Sequence, residues 1–337
     1  MAVTDALVAS PALTCLQPLV LAIGAFTLLK FVVKTVGVLL QTFILPGKNL
    51  KKYGAGKGAW AVVTGASEGI GREYALQLAK KGFNVLVSAR NVAALETLVK
   101  EIKSQSPGVK TKAVPFDFSR VHEIAQWSDF RAEVESLDVG VLVNNVGRSH
   151  AFPVDFVDTT EEEVDNILTI NIDATLKVTR AILPGMVQRR RGLILTLTSF
   201  AGVSSVSPML APYAASKVFL ASFSAALGPE VKSKGIDVEA VNTYFVVSNM
   251  SKIRKASALI PTPKQYVRAT LSKVGLACGA LFSGRPYLST PYWSHALLDY
   301  FIHVLGWTSV VSAVTHNMHV SIRARALKKL AREAKKQ

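Results

Sequence analysis

A chain of 337 residues can bury one large core, so one catalytic unit of about 250 residues with extensions is expected rather than two full domains. Thirty-nine Lys and Arg against 23 Asp and Glu leave a formal charge of +16, which implies anionic partners: a phosphorylated cofactor, an anionic substrate handle or a lipid headgroup surface. Two cysteines far apart, Cys15 and Cys278, exclude a disulfide framework and a metal-ligand spacing, and no zinc finger or RNP motif supports a nucleic-acid partner.

After a lead at 1–17, residues 18–45 form a nearly continuous apolar stretch, long enough for the roughly 20 residues that cross a bilayer. Its charges, Lys30 and Lys34, share one helical face, where they snorkel, meet another helix or mark an interfacial segment. A basic linker at 46–57 carries Lys48, Lys51, Lys52 and Lys57, whereas no Lys or Arg precedes the stretch, which places the remainder of the chain in the cytosol.

The catalytic unit is expected over 58–288. Trp60–Val63 reads as a buried strand running into Thr64-Gly65-Ala66-Ser67-Glu68-Gly69-Ile70-Gly71 and then a helical pattern. Strand, glycine turn and helix form a cradle for a pyrophosphate at a helix N-terminus, with Gly65, Ser67, Gly69, Ile70 and Gly71 around it. Phe83–Ala89 is the next strand, and Arg90 follows it where an acidic residue would hold the ribose 2′-hydroxyl of NAD. A cation there suits the 2′-phosphate of NADPH.

A third strand is expected at Val114–Phe118, with Asp117 near its end, and a fourth at Val139–Val143 running into Asn144-Asn145-Val146-Gly147. The alternation of strands and helices predicts an α/β fold, a Rossmann-type doubly wound parallel sheet. Helix Asp165–Thr179 carries Asn171, a candidate to hold a water that relays protons to Lys217.

The fifth strand, Gly192–Thr198, delivers Ser199 to the ligand-binding edge. Tyr213-Ala214-Ala215-Ser216-Lys217 opens a helix running through Leu227, and Tyr213 and Lys217, four apart, share a face. A free phenol has a pKa near 10, and a neighbouring ammonium is expected to lower it, making Tyr213 a general acid with Ser199 as a donor to a substrate carbonyl.

Together, T-G-A-S-E-G-I-G at 64–71, N-N-V-G at 144–147, Asn171, Ser199 and Y-A-A-S-K at 213–217 resemble the short-chain dehydrogenase/reductase family over roughly residues 58–285. The resemblance implies that Asp117 contacts the adenine, Asn144 steadies the central strand and Lys217 also holds the nicotinamide ribose. It also implies that Val246 and Ser248 border the cofactor, and that a homodimer forms through the helices carrying Asn171 and Tyr213, which a membrane anchor can alter. Two positions depart from the family pattern: its serine stands thirteen before the tyrosine, where this chain has Phe200, and Thr243 replaces the usual proline after the sixth strand.

With the apolar stretch, the run Asn249–Lys255, the segment Thr290–His295 and the basic tail, the chain is similar to a narrower group, the fungal microsomal very-long-chain 3-oxoacyl-CoA reductases, relatives of animal 17β-hydroxysteroid dehydrogenases. That similarity implies reduction of a long-chain 3-oxoacyl-CoA at the endoplasmic reticulum membrane, in contact with membrane lipid and beside other fatty-acid elongation enzymes. A steroid or other lipid ketone reductase, and a membrane scaffold that binds NADPH without catalysis, are the alternatives.

Lys252, Arg254 and Lys255 either grip the CoA phosphates or form a solvated face. In the extension at 289–337, Ala296–Val314 reads as a membrane-surface helix or a cover over an acyl channel. From Arg323 to Lys336, seven Lys or Arg accompany Leu327 and Leu330 as a basic amphipathic helix suited to an anionic leaflet. His316 and His319, with no carboxylate or thiol near in sequence, are read as surface histidines, and His150 as either a substrate-entrance residue or an ordinary loop histidine.

Overall fold

The computed structural model describes residues 11–335. Seven parallel strands form one sheet in the order β3-β2-β1-β4-β5-β6-β7: β1 Trp60–Thr64, β2 Asn84–Ser88, β3 Thr111–Ala113, β4 Val139–Asn144, β5 Gly192–Leu197, β6 Ile236–Val241 and β7 Leu288–Ser289. The inner strands are near-continuous apolar runs because both faces are covered. Ala61 and Val63 enter one core layer with Tyr74, Leu78 and Phe83, while Val62 turns to the other with Phe130, Val178 and Met186. Strand order reverses between β1 and β4, which opens a crevice at their carboxyl ends.

The helices follow the same logic. An apolar helix, α1 Pro11–Leu39, continues through a π-turn at Leu40–Ile44, and Leu16–Ile44 is long and apolar enough to cross a membrane. The crossover helices are α2 Gly69–Lys80, α3 Val92–Gln105, α4 Ile124–Glu135, α5 Glu161–Leu168, α6 Ala174–Arg189, α7 Ala211–Lys232 and α8 Pro263–Ser272. α9 Trp293–Val304 and α10 Thr308–Ala334 complete the described chain.

Three expectations shift in detail. The third strand ends at Ala113 rather than continuing to Phe118, because Pro115 has no N–H for the ladder; Val114 and Phe116 still donate to Val87 and Ala89 at 3.0 and 3.1 Å, and Asp117 caps a 3-10 turn. The Asn171 helix is interrupted by a π-turn at Thr169–Asp173, between α5 and α6. Ala296–Val314 is not one segment: it breaks at Leu305–Trp307, where Gly306 adopts φ 65°.

The basic linker is docked on the sheet. Lys48, Lys52 and Tyr53 all donate to the Asp237 carboxylate, at 2.5, 2.6 and 2.7 Å, and Gly47 and Lys48 donate backbone bonds to Ser272 and Val274. Near the end of α1, the Thr35 hydroxyl lies 2.5 Å from that of Tyr300 on α9. The apolar helix therefore leaves the catalytic unit at a fixed place.

Candidate active site

The glycine turn is shaped by close backbone approach. A Cβ on Gly71 would stand 2.3 Å from the Gly65 carbonyl oxygen, and Gly65 at φ 65° would bring one to 2.8 Å from Val146. Asn145 fastens the turn by donating from Nδ2 to the carbonyls of Thr64 and Gly65, both at 3.0 Å. Asn145, legible in the sequence only as part of a motif, supplies this clamp from the position directly after β4. Gly69, at φ 58°, begins α2 at the cavity wall, where a Cβ would meet only the Ser248 side chain, at 3.8 Å, and the first helical turn has N–H groups free of intrahelical partners there.

That crevice is part of a cavity of about 1330 Å³. Its cofactor side is lined by Gly65, Ser67, Gly69 and Ile70, by Arg90 at the end of β2, by Asp117, and by Val246 and Ser248 beyond β6. Bare backbone at the glycine turn, a helix N-terminus and the Arg90 guanidinium fit a phosphorylated dinucleotide. Glu68, the acid within the turn, is engaged by the Asn249 amide.

Ser199, Tyr213 and Lys217 line the same cavity. Ser199 follows β5 and caps the turn Phe200–Val203, accepting from Ala201 N at 3.1 Å. The fourteen-residue spacing is thus absorbed by the intervening loop, and it is Phe200, not Ser199, that is buried against Tyr244 and His295. Ala211 and Pro212 open α7, so Tyr213 occupies its first turn and Lys217 lies one turn on.

The Lys217 Nζ donates to the Leu197 carbonyl at 2.8 Å and sits 5.8 Å from the centre of the Tyr213 ring. Burial draws the Lys217 ammonium down to about 8. The net lowering expected from this ammonium is not met: burial holds the Tyr213 phenol above its ordinary value, and the nearby Ser199 hydroxyl offsets this only in part.

Three predicted residues lie behind the cavity wall. Gly71 packs under the turn. Asn144 donates to Thr179 at 2.9 Å and to Thr196 at 3.5 Å, tying β4 to α6 and β5 rather than facing the crevice. Asn171 accepts from Arg148 N at 2.7 Å and donates to Arg148 O at 3.0 Å and to Ser216 Oγ at 2.8 Å. Its amide, read from sequence as a water holder, instead fastens the loop after β4 to the helix bearing Tyr213 and Lys217.

The substrate side differs most from expectation. Lys252 lines the cavity and donates to Ala151 O, whereas Arg254 and Lys255 are exposed and outside it. Lys252 takes φ 56° and Ser248 bridges to Ile253, so the chain turns away after that point. His150 has a buried ring at the cavity, 3.4 Å from Glu163. His319 is buried rather than a surface residue: its Nδ1 lies 2.7 Å from Pro208 O, and it lines the cavity with Met318 and Ile322 of α10. No sequence signal joins α10 to a site centred more than a hundred residues earlier.

Among the described residues there is no cluster of His, Cys, Asp and Glu that could hold a metal ion. The arrangement offers a proton-bearing phenol, a nearby hydroxyl and a buried ammonium, all lining the cavity that the cradle also lines. Such a set can protonate an oxygen as a carbonyl carbon is reduced.

The sequence profile of the short chain dehydrogenase family matches residues 59–258. Very-long-chain 3-oxoacyl-CoA reductases from Coprinopsis cinerea and Laccaria bicolor are 57% and 56% identical to the chain, each match covering 96% of it and 94% of the relative. The protein of that name from Aspergillus oryzae is 47% identical over 94% of the chain and 90% of its own. Among solved structures, one from a study of 7beta-hydroxysteroid dehydrogenase stereoselectivity superposes with a TM-score of 0.66 at 23% identity, over 80% of this chain and all of that one, a likeness of fold. A metagenomic short-chain oxidoreductase in complex with NADP gives 0.51 at 29% identity, over 56% of this chain and 83% of that one.

Proposed function

The chain belongs to the short-chain dehydrogenase family, and on that premise we propose that it reduces very-long-chain 3-oxoacyl-CoA to 3-hydroxyacyl-CoA with NADPH. The observation that carries the reading is the Ser199–Tyr213–Lys217 group, opening onto a single cavity that runs from the glycine turn to α10, in a chain whose relatives bear that name over nearly its whole length. Arg90 supports NADPH over NADH as the cofactor.

A bound nicotinamide supplies hydride to C3 of the substrate. Tyr213 Oη gives its proton to the oxygen that becomes alkoxide, and Ser199 Oγ holds that oxygen in place. Lys217 keeps a positive charge 5.8 Å from the Tyr213 ring as the proton leaves, which stabilises the phenolate against the burial that favours the phenol. Asn171 positions rather than reacts, since its amide is committed to Arg148 and Ser216.

The apolar helix would hold the enzyme in the endoplasmic reticulum membrane with the catalytic unit in the cytosol, an orientation supported by Lys48, Lys51, Lys52 and Lys57 following it. A membrane-tethered site suits a long acyl chain, and elongation enzymes of the same membrane are the expected neighbours. The test is NADPH oxidation by the purified full-length protein across 3-oxoacyl-CoA chain lengths, with a 17-ketosteroid in parallel. Preferred turnover of the steroid would reject the acyl-CoA assignment, and binding of NADPH without turnover of any ketone would reject catalysis.

A further inference from the structure

The basic carboxyl-terminal segment invites a lipid-leaflet reading from its sequence, but its fold places part of its charge along the cavity, on exposed side chains. α10 presents Thr315, Met318, His319 and Ile322 to the cavity at helical spacing. Two side-chain contacts fix it there: His319 to the Pro208 carbonyl, and Arg323 to Asp158 at 2.7 Å. Beyond them, on the same side, Arg325 and Lys329 line the same cavity.

These two cations are poorly compensated. The Arg325 Nε donates to Ser321 O of its own helix at 3.3 Å, and among the described residues no carboxylate forms an ion pair with it. The ion pair of Lys329 with Glu333 is long, 3.6 Å, and exposed. Arg148 and Lys252 add positive charge from the loops that line the same space, where the acids are Glu68 and Asp117 on the cofactor side. An anion is therefore favoured at the α10 end of the cavity.

The order along α10 adds a direction. At 1.5 Å per residue, the Cα atoms of Arg325 and Lys329 lie about 9 and 15 Å past that of His319, which packs on the segment leading into Tyr213. An acyl-CoA has the matching order, with the reacting ketone near the thioester and the phosphates at the far end of an extended pantetheine arm. We propose that Arg325 and Lys329, with Lys252, bind the phosphates of the CoA moiety, so that α10 distinguishes CoA thioesters from other ketones. The proposal rests on the acyl-CoA reading above.

The test uses the full-length protein in neutral detergent, comparing wild type with the double variant Arg325→Glu/Lys329→Glu. The substrates are a 3-oxoacyl-CoA and the same 3-oxoacyl group on N-acetylcysteamine, which has no phosphate. We expect KM for the CoA thioester to rise at least about tenfold, while KM for the N-acetylcysteamine thioester and Kd for NADPH stay unchanged. The charge-conserving Arg325→Lys/Lys329→Arg should keep KM for the CoA thioester within about threefold of wild type.

An unchanged KM for the CoA thioester overturns the assignment. An equal rise for both thioesters overturns it too, because that reports a displaced helix. So does a difference between variants that appears only when anionic phospholipid is added, since the cations then serve a leaflet. Failure of the wild type to turn over either thioester, while it reduces another ketone, would reject the acyl-CoA reading itself, and that outcome is read before any variant is made.

Discussion

Lys217 holds its Nζ 5.8 Å from the centre of the Tyr213 ring while donating a 2.8 Å hydrogen bond to the carbonyl of Leu197, at the end of β5. The ammonium is thereby fixed to the sheet rather than to the phenol, and burial costs it part of its hold on the proton. Lys217 loses its charge progressively as pH rises through about 8. In the proposed mechanism kcat/KM for ketone reduction should therefore fall as pH rises through about 8, and Lys217→Arg, where it retains activity, should carry that limb upward. A pH profile of NADPH oxidation checks this, and an identical alkaline limb in the arginine variant would assign it to another group.

Arg90 lines the cavity at the end of β2 with its side chain exposed. Arg90→Ala should lower the preference for NADPH over NADH by about 10- to 100-fold, through loss of a charge-assisted contact to the 2′-phosphate. Comparing Kd for the two cofactors by fluorescence titration measures it directly.

Glu239 on β6 is buried beside Asp237, and burial raises its carboxyl to about 7 despite a 2.7 Å bond from Gly275 N. A carboxyl raised in the folded state holds a proton that the unfolded chain has released, so stability should fall as pH rises from about 4.5 to about 7 and then level off. The full span corresponds to about 3 kcal/mol. Glu239→Gln should flatten this slope and be no less stable than wild type at pH 8. Thermal denaturation between pH 5 and 8 provides the measurement; parallel curves for the two proteins would remove Glu239 as the cause.

Asp299 is fully buried on α9, where Arg285 donates to both of its oxygens at 2.9 Å and Ser204 and Thr290 add bonds of 2.8 and 2.6 Å. Burial favours its neutral form, but the surrounding donors, His303 and Arg285 foremost, win and hold its carboxyl below the usual range. Ser204 belongs to the loop between Ser199 and Tyr213, so this network carries the carboxyl-terminal helices to the active site. Asp299→Asn leaves Arg285 without its counter-charge and should cost about 3–5 kcal/mol. A Tm within error of the wild type would show the network to be dispensable.

The parts of this architecture legible in sequence are those set by local rules. Tyr213 and Lys217 share a face because they are four apart on a helix, and the glycine turn declares itself between two apolar strands. Ser199 needed only to end a strand on the correct edge, and the loop geometry then chose it over Phe200. Where long-range packing decides, the sequence was silent or misleading. Asn171 has an amide that satisfies neighbouring elements instead of holding water, and nothing around His319, Arg325 or Lys329 reveals that α10 folds back along a cavity. Pro115 could have shortened the third strand, because its missing N–H is visible without coordinates.

The central claim is that Tyr213 supplies the proton for reduction of a 3-oxoacyl-CoA by NADPH. The direct measurement is NADPH oxidation by the purified full-length protein and by Tyr213→Phe, with NADPH binding followed on both. The account predicts turnover by the wild type and a loss of at least about 1000-fold in kcat for the variant, with Kd for NADPH unchanged. Turnover by Tyr213→Phe at the wild-type rate would contradict it.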